Sequence, residues 1–459
     1  MTSLFGIFIG LALLMYLALK GYSIVWVAPL CAAVVAFAGG LDIISTYMGP
    51  YMTGLVGFVK SWFPAFMLSA IFGNLMETTG GAKSIAIFLT SKLGAKSAIA
   101  AIVLACAVLT LGGVSLFVVV FAIYPLALAM FKEANISRKL IPGAIALGAF
   151  TFTMTAVPGT PQIQNLIPTT YFGTTATAGP IMGLVATAIL FFGGLFYMEW
   201  KRKKIEAKGE FYTEPDAKHA GTVIDKSDMP NVLVAMIPLI VVIGVLNLMP
   251  LYVKFTPEQL AAGRSNSEFI IYALLSGILL VFLFNFKKRD LFIKSLTVGS
   301  QGAIGAILNT AAAVGFGAVV RAVPGFTDLT NIVLAVPGNP LISLSVAVNL
   351  MAGATGSASG GMGIALAAMG TKYMELAKTS GIAPQAFHRI ASLSSGGLDT
   401  LPHNGAVLTL LNNTGMSHKD SYIDIMVVSL IMPIVATIPA IILAVMGIYY
   451  CLLYTSRRG

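Results

Sequence analysis

The chain alternates long apolar runs with short polar interruptions, and the runs have the length of membrane-crossing helices. A helix needs about 20 apolar residues to cross roughly 30 Å of hydrocarbon. Runs of this kind lie near residues 4–19, 24–40, 62–78, 97–111, 114–131, 178–199, 231–252, 268–286, 340–352 with its continuation, and 423–450. Three other stretches, 140–170, 300–335 and 354–413, are too short or too rich in Gly, Pro and Thr to be plain spans. The pattern predicts an all-α polytopic membrane protein of about 11–12 membrane segments, some of them broken or re-entrant.

Composition agrees. The 459 residues are 57% hydrophobic and 10% charged, against about 25% charged in ordinary soluble domains, and the mean hydropathy is +0.89. A net charge of +10 would suggest nucleic acid in a soluble protein. Here the basic residues sit in short segments beside apolar runs: Lys83, Lys92 and Lys96, then Lys201 to Lys204, then Lys287 to Arg289. This positive-inside pattern implies a lipid bilayer and no nucleic-acid partner, and one parity places all three segments in the cytoplasm with Met1 outside. The first span lacks a positive n-region and a small-residue cleavage site, so it reads as an uncleaved helix. Cys31, Cys106 and Cys451 have no metal or redox spacing, and no cofactor is expected. Residues 451–459 resemble translated sequencing adapter and carry no weight.

The hydrophilic stretch 200–229 reads as a solvated cytoplasmic linker between two membrane repeats, 1–199 and 230–450. The halves echo each other. In the first, Leu111-Gly112-Gly113-Val114-Ser115 is followed by a helix to Met130, a basic turn at Arg138-Lys139, and then Thr151 to Asn165 with Pro158 and Pro161. In the second, Gly353 to Gly361 is followed by a helix to Leu376, a basic pair at His388-Arg389, and then Ser394 to Gly405 with Pro402. An odd number of crossings before the linker makes the repeats inverted, and paired Gly/Pro interruptions of this kind point to a transporter's binding site.

Irregular backbone at membrane depth survives only where it is buried in protein or lines a watery cavity. Half-helix N-termini there offer free N–H groups and a positive dipole end to a carboxylate. The candidate substrate contacts are Ser115, Thr155, Pro158, Gly159, Thr160, Gln162, Asn165, Ser357, Ser359, Thr400 and Asn404. Small-residue helix packing is the competing reading for the Gly/Ser stretches. The candidate proton carriers are Asp399, His403, whose imidazole titrates near neutrality unaided, and Glu77. Asp399 has a competing role as cap of a helix starting near Pro402. Arg321, in an apolar run, could pair with a carboxylate substrate, but is expected to snorkel to the interface.

At these residues the sequence resembles the gluconate permease family of secondary transporters, within the wider ion-transporter group that includes citrate and dicarboxylate carriers. The likeness rests on Gly73 to Gly81, on Gly356-Ser357-Ala358-Ser359, and on Leu398 to Gly405. It implies proton-coupled import of sugar acids or other small hydroxy acids across the inner (cytoplasmic) membrane, and, because related folds often dimerise, allows a homodimer. It carries over to Glu77, Ser357, Pro158, Gly159, His403 and Asn404. The family's Pro-Pro-His-Pro-Gly-Pro is replaced by Ala156-Val157-Pro158-Gly159-Thr160-Pro161. A loop without that histidine suits a shorter monocarboxylate such as 3-hydroxybutyrate. Sodium in place of the proton is the alternative coupling ion. A membrane-embedded enzyme would need convergent metal or nucleophile spacing, which the four histidines do not supply. A passive channel would need rings of repeated pore residues, which are absent from the sequence.

Overall fold

A computed structural model describes residues 2–449, apart from 21, 95–96, 115, 217–228, 257, 259–267, 287–288, 335–338 and 403. The described chain is helical. In order the helices are α1 (Thr2–Leu19), α2 (Ile24–Ala38), α3 (Ile43–Thr78), α4 (Gly81–Leu93), α5 (Ala98–Leu111), α6 (Leu116–Glu133), α7 (Ile141–Ala149), α8 (Phe152–Thr155), α9 (Ile163–Phe172) and α10 (Pro180–Glu206). After the linker come α11 (Val232–Tyr252), α12 (Phe269–Phe284), α13 (Arg289–Ala322), α14 (Gly325–Leu334), α15 (Pro340–Thr355), α16 (Ala358–Ser380), α17 (Pro384–Ser395), α18 (Gly405–Thr414) and α19 (His418–Val445). Five of these are long and apolar enough to cross a bilayer: α3, α10, α11, α13 and α19. Large apolar side chains such as Phe196 (77% exposed) and Leu279 (57%) face outward, as a lipid-facing surface requires.

Three of the expected interruptions are real. The chain leaves helical geometry at 112–114 between α5 and α6, at 156–162 between α8 and α9, and at 396–402 and 404 between α17 and α18. A fourth, at Gly356 and Ser357, separates α15 from α16, with Gly356 in the left-handed region at φ 59°.

The stretch 300–335 departs from expectation. Through residue 322 it is the continuous helix α13, followed by α14. Its glycines permit close approach rather than breakage. A Cβ on Gly299 would stand 2.6 Å from Ile71 Cα, and one on Gly315 would stand 2.9 Å from the Tyr51 carbonyl oxygen. Both contacts are with α3, so the two long helices lie backbone to backbone. Such contact is the ordinary use of small residues in membrane bundles. Thr78 Oγ1 and Ser295 Oγ, 2.8 Å apart, tie the same pair at the linker end.

The described part of the linker, residues 207–216, is mostly exposed yet pairs with the membrane body. α10 continues to Glu206, where Arg202 bridges Glu199 and Glu206 at 2.7 Å each. Beyond it Glu210 pairs with Lys139 at 2.7 Å, Glu214 pairs with Lys132, and Arg138 Nε donates to Thr213 Oγ1 at 3.3 Å. The linker acids thus fold back onto the basic turn after α6. The Lys139 ammonium holds the Glu210 carboxyl below the usual carboxylate range.

Candidate functional site

The four interruptions meet at one cavity of about 750 Å³. The first contributes Gly113, the second Pro161 and Gln162, the third Gly356 and Ser357, and the fourth Asp399, Thr400 and Asn404. Each is followed directly by a helix whose first turn also reaches the cavity: Val118 of α6, Ile163 and Gln164 of α9, Ala358 and Ser359 of α16, Gly405 and Ala406 of α18. Four helix N-termini therefore converge on one space. α3 and α13 close it with Phe66, Asn74, Asn309 and Thr310.

Local chemistry builds each terminus. Ser357 caps α16 by accepting from the Gly360 N–H at 3.1 Å. Asn404 caps α18, its Oδ1 accepting from the Val407 N–H at 2.9 Å, while its Nδ2 donates to the carbonyls of Gly356 at 2.8 Å and Asp399 at 3.0 Å. Asp399 is therefore not the cap of this helix. Ser, Asn and Asp are favoured at such positions because a short side-chain acceptor satisfies an N–H that the helix leaves free. Gln162 Nε2 donates to the Thr110 carbonyl at 2.6 Å and fixes the second interruption against α5.

The cavity is lined by more apolar than polar surface and is almost uncharged. Among its described lining residues Asp399 is the single ionisable acid or base apart from the Tyr22 phenol. Among the described residues its Oδ1 has no hydrogen-bond partner, nor do Gln164 Oε1 and Asn74 Oδ1. A buried acceptor without a partner is destabilising by about 1–3 kcal/mol, so these oxygens suit a donor or cation supplied by a ligand.

Of the candidate residues, Gln162, Ser357, Ser359, Asp399, Thr400 and Asn404 line the cavity. Thr155, Pro158, Gly159, Thr160 and Asn165 lie behind it as its scaffold. Thr160 Oγ1 donates to the Thr153 carbonyl at 2.9 Å, and Asn165 Nδ2 donates to the carbonyls of Thr160 and Ala176 at 2.9 Å each. The Gly159 carbonyl accepts from Asn247 Nδ2 at 2.9 Å, and Pro158 packs on Gly183. Glu77 sits half-buried near the end of α3, three residues beyond Asn74, and does not reach the lining. Ser115 and His403 lie outside the described residues.

The basic pair His388-Arg389 is not a surface turn. Both residues are fully buried within α17. Arg389 spreads its guanidinium over carbonyls of the first half: Nε to Ala178 at 3.0 Å, Nη1 to Thr155 at 3.3 Å, and Nη2 to Ala178 at 2.7 Å and Ala176 at 3.3 Å. His388 Nδ1 meets Thr174 Oγ1 at 2.6 Å. An arginine carries five donors in a fixed fork, and here four bonds to three backbone carbonyls engage all three of its nitrogens. The signal in the sequence was Pro384, which in first-turn position starts a helix and carries His388 and Arg389 inside it. Asn74, Gln164, Asn309 and Thr310 were also passed over, each lying within a regular helix rather than at a break.

A model of the GntP family of permeases matches residues 2–446. The chain belongs to the GntP permease family. The permease is 42% identical over 468 residues to YxjC, an uncharacterized transporter of Bacillus subtilis (strain 168), with 96% of this chain and 98% of that one covered. It is 26% identical over 269 residues to an uncharacterized permease of Haemophilus influenzae (strain ATCC 51907 / DSM 11121 / KW20 / Rd), covering 56% of this chain and 54% of that one. Its fold matches the YdaH transporter of Alcanivorax borkumensis with a TM-score of 0.55 at 17% identity, over 87% of this chain and 89% of that one. It also matches MtrF of Neisseria gonorrhoeae, with a TM-score of 0.54 at 12% identity, over 85% and 83%. The permease is a multi-pass secondary transporter and not an enzyme.

Proposed function

We propose that the permease imports a small organic hydroxycarboxylate with protons, by alternating access, across the inner membrane of its cell. The observation that carries this reading is the convergence of four helix N-termini on a cavity holding one described acid and no described cationic side chain. Positive dipole ends and free N–H groups accept a carboxylate without a permanent counter-charge. The unpartnered oxygens of Asp399, Gln164 and Asn74 would receive its hydroxyls, and Asp399 would carry the coupling proton.

Alternating access by inverted repeats is supported by helix direction. From the cavity α6 runs to Lys132, beside the linker, whereas α16 runs past Ala367, which accepts from Arg321 at the far end of α13. Likewise α9 ends near Tyr171, which lines a space with Arg321, while Thr414 at the end of α18 accepts from Tyr124 of α6. Corresponding helices thus leave the cavity in opposite directions. The linker side, with its basic segments, is the cytoplasmic one on this reading.

A second reading of the coupling ion has its own support. Three acceptor oxygens without partners beside one cavity also suit a bound Na⁺, since unwound segments and carboxylates commonly hold it. Uptake of labelled 3-hydroxybutyrate and gluconate into proteoliposomes, under an imposed pH or Na⁺ gradient, separates the two. Accumulation driven by a pH gradient alone is expected. A requirement for Na⁺ would overturn proton coupling, and transport of neither acid would overturn this substrate assignment.

A further inference from the structure

Arg321 is exposed in the last turn of α13. Its Nη1 donates to the Ala367 carbonyl at 3.0 Å, across to α16, and it lines a second cavity of about 680 Å³ with Thr53, Ser61, Trp62 and Tyr171. Among the described residues no carboxylate pairs with it. The cavity combines one guanidinium, several hydroxyls and three aromatic side chains, and among its described lining residues there is no acid.

The two cavities lie end to end along the same helices. On α3, Trp62 faces the Arg321 cavity and Phe66 the central one; on α13, Val314 faces the first and Thr310 the second. Four residues of helix separate them in each case, about 6 Å at 1.5 Å per residue. Ala311, Ala312 and Ala313 fill that turn and are buried.

We propose that the Arg321 cavity is a second binding station for the transported organic carboxylate, on the face opposite the linker. Arg321 pairs with the carboxylate there, and hydroxyls such as those of Ser61 and Thr53 meet the rest of the solute. Guanidinium is suited to the task because it is permanently charged and matches a carboxylate with two parallel donors. The station takes its ligand class from the reading above, but its charge preference can be measured without any transport.

The test places a thiol in the cavity by Ser61→Cys, in full-length protein with Cys31, Cys106 and Cys451 replaced by alanine. Labelling rates are compared for an anionic (sulfonatoethyl) and a cationic (trimethylammonioethyl) methanethiosulfonate. The expected anionic-to-cationic ratio falls about ten-fold with Arg321→Gln, the scale on which a one-sign cleft enriches its counter-ion. Arg321→Lys should retain most of the ratio, and whichever acid the proteoliposomes accumulate should slow the anionic reagent. A ratio indifferent to Arg321→Gln, or labelling that the transported acid does not slow, overturns the station. If neither acid is transported the central-site reading fails alone, because the sulfonate reagent still decides whether Arg321 gathers anions.

Discussion

The side-chain amide of Asn404 donates to the carbonyl oxygen of Gly356 at 2.8 Å, joining the two interruptions of the second half. The same side chain caps α18, so one residue sets the distance between two of the four N-termini at the cavity. Asn404→Ala should raise the uptake KM and lower stability by about 0.5–2 kcal/mol, the usual cost of losing an N-cap. Asn404→Ser keeps a cap acceptor but loses the bonds to the Gly356 and Asp399 carbonyls, and should recover part of the stability while leaving KM raised. Thermal unfolding alongside proteoliposome uptake checks both.

Asp399 lines the cavity with an unpartnered carboxyl oxygen. Asp399→Asn should abolish gradient-driven accumulation while sparing exchange of internal for external substrate, because binding survives and only the carried proton is lost. Unchanged accumulation across pH would remove Asp399 from the mechanism.

Arg389 is held by carbonyls alone. Arg389→Met strands the carbonyl of Ala178, at about 1–3 kcal/mol for an acceptor left without a donor, and removes one donor each from Thr155, which keeps Ser392, and Ala176, which keeps Gly159 and Asn165. The expected result is a large drop in melting temperature, with a smaller drop for Arg389→Lys, which keeps the charge but not the fork. Size-exclusion chromatography after a heating series reads the difference.

Gly159 has φ +81°, and a Cβ there would stand 2.4 Å from Asn247 Oδ1. Gly159→Leu should therefore destabilise the fold by at least the ~1–3 kcal/mol of a strained left-handed residue, and lose transport with it. Asn247→Ala alone should leave a folded protein, since it opens space rather than filling it.

Glu210 titrates below the usual carboxylate range because Lys139 stabilises its charge. The native state thus favours the ionised form. The contribution is complete at neutral pH and is lost as the pH falls through that lowered value. Protease cleavage within 210–216 should accordingly rise in acid, and Glu210→Gln should show the raised rate already at pH 7.

Much of the fold was legible because breaks in apolar runs are loud. Gly112-Gly113, Pro158 to Pro161, Gly356 and Pro402 each mark a real interruption, since backbone polar groups leave little choice at membrane depth. What the sequence hid was which polar side chains face the cavity and which face the scaffold. Gln162 and Asn165 are three residues apart, yet one lines the cavity and the other ties down carbonyls behind it. The glycines of α13 were misread for a related reason: a residue that permits a break also permits contact between helices, and only the presence of α3 decides between them. His388 and Arg389 read as a basic pair between elements because their partners, the Thr174 hydroxyl and the Ala178 carbonyl, lie more than 200 residues away.

The sparse charge of the central cavity has an electrical consequence. With Asp399 ionised and no described cationic side chain in the lining, a bound monocarboxylate would bring a second negative charge into the same space. One proton shared between the two carboxyls relieves that repulsion. A cycle moving one such anion with one proton carries no net charge, so the membrane voltage would neither drive nor oppose it. Only a second cation per cycle would make uptake generate current.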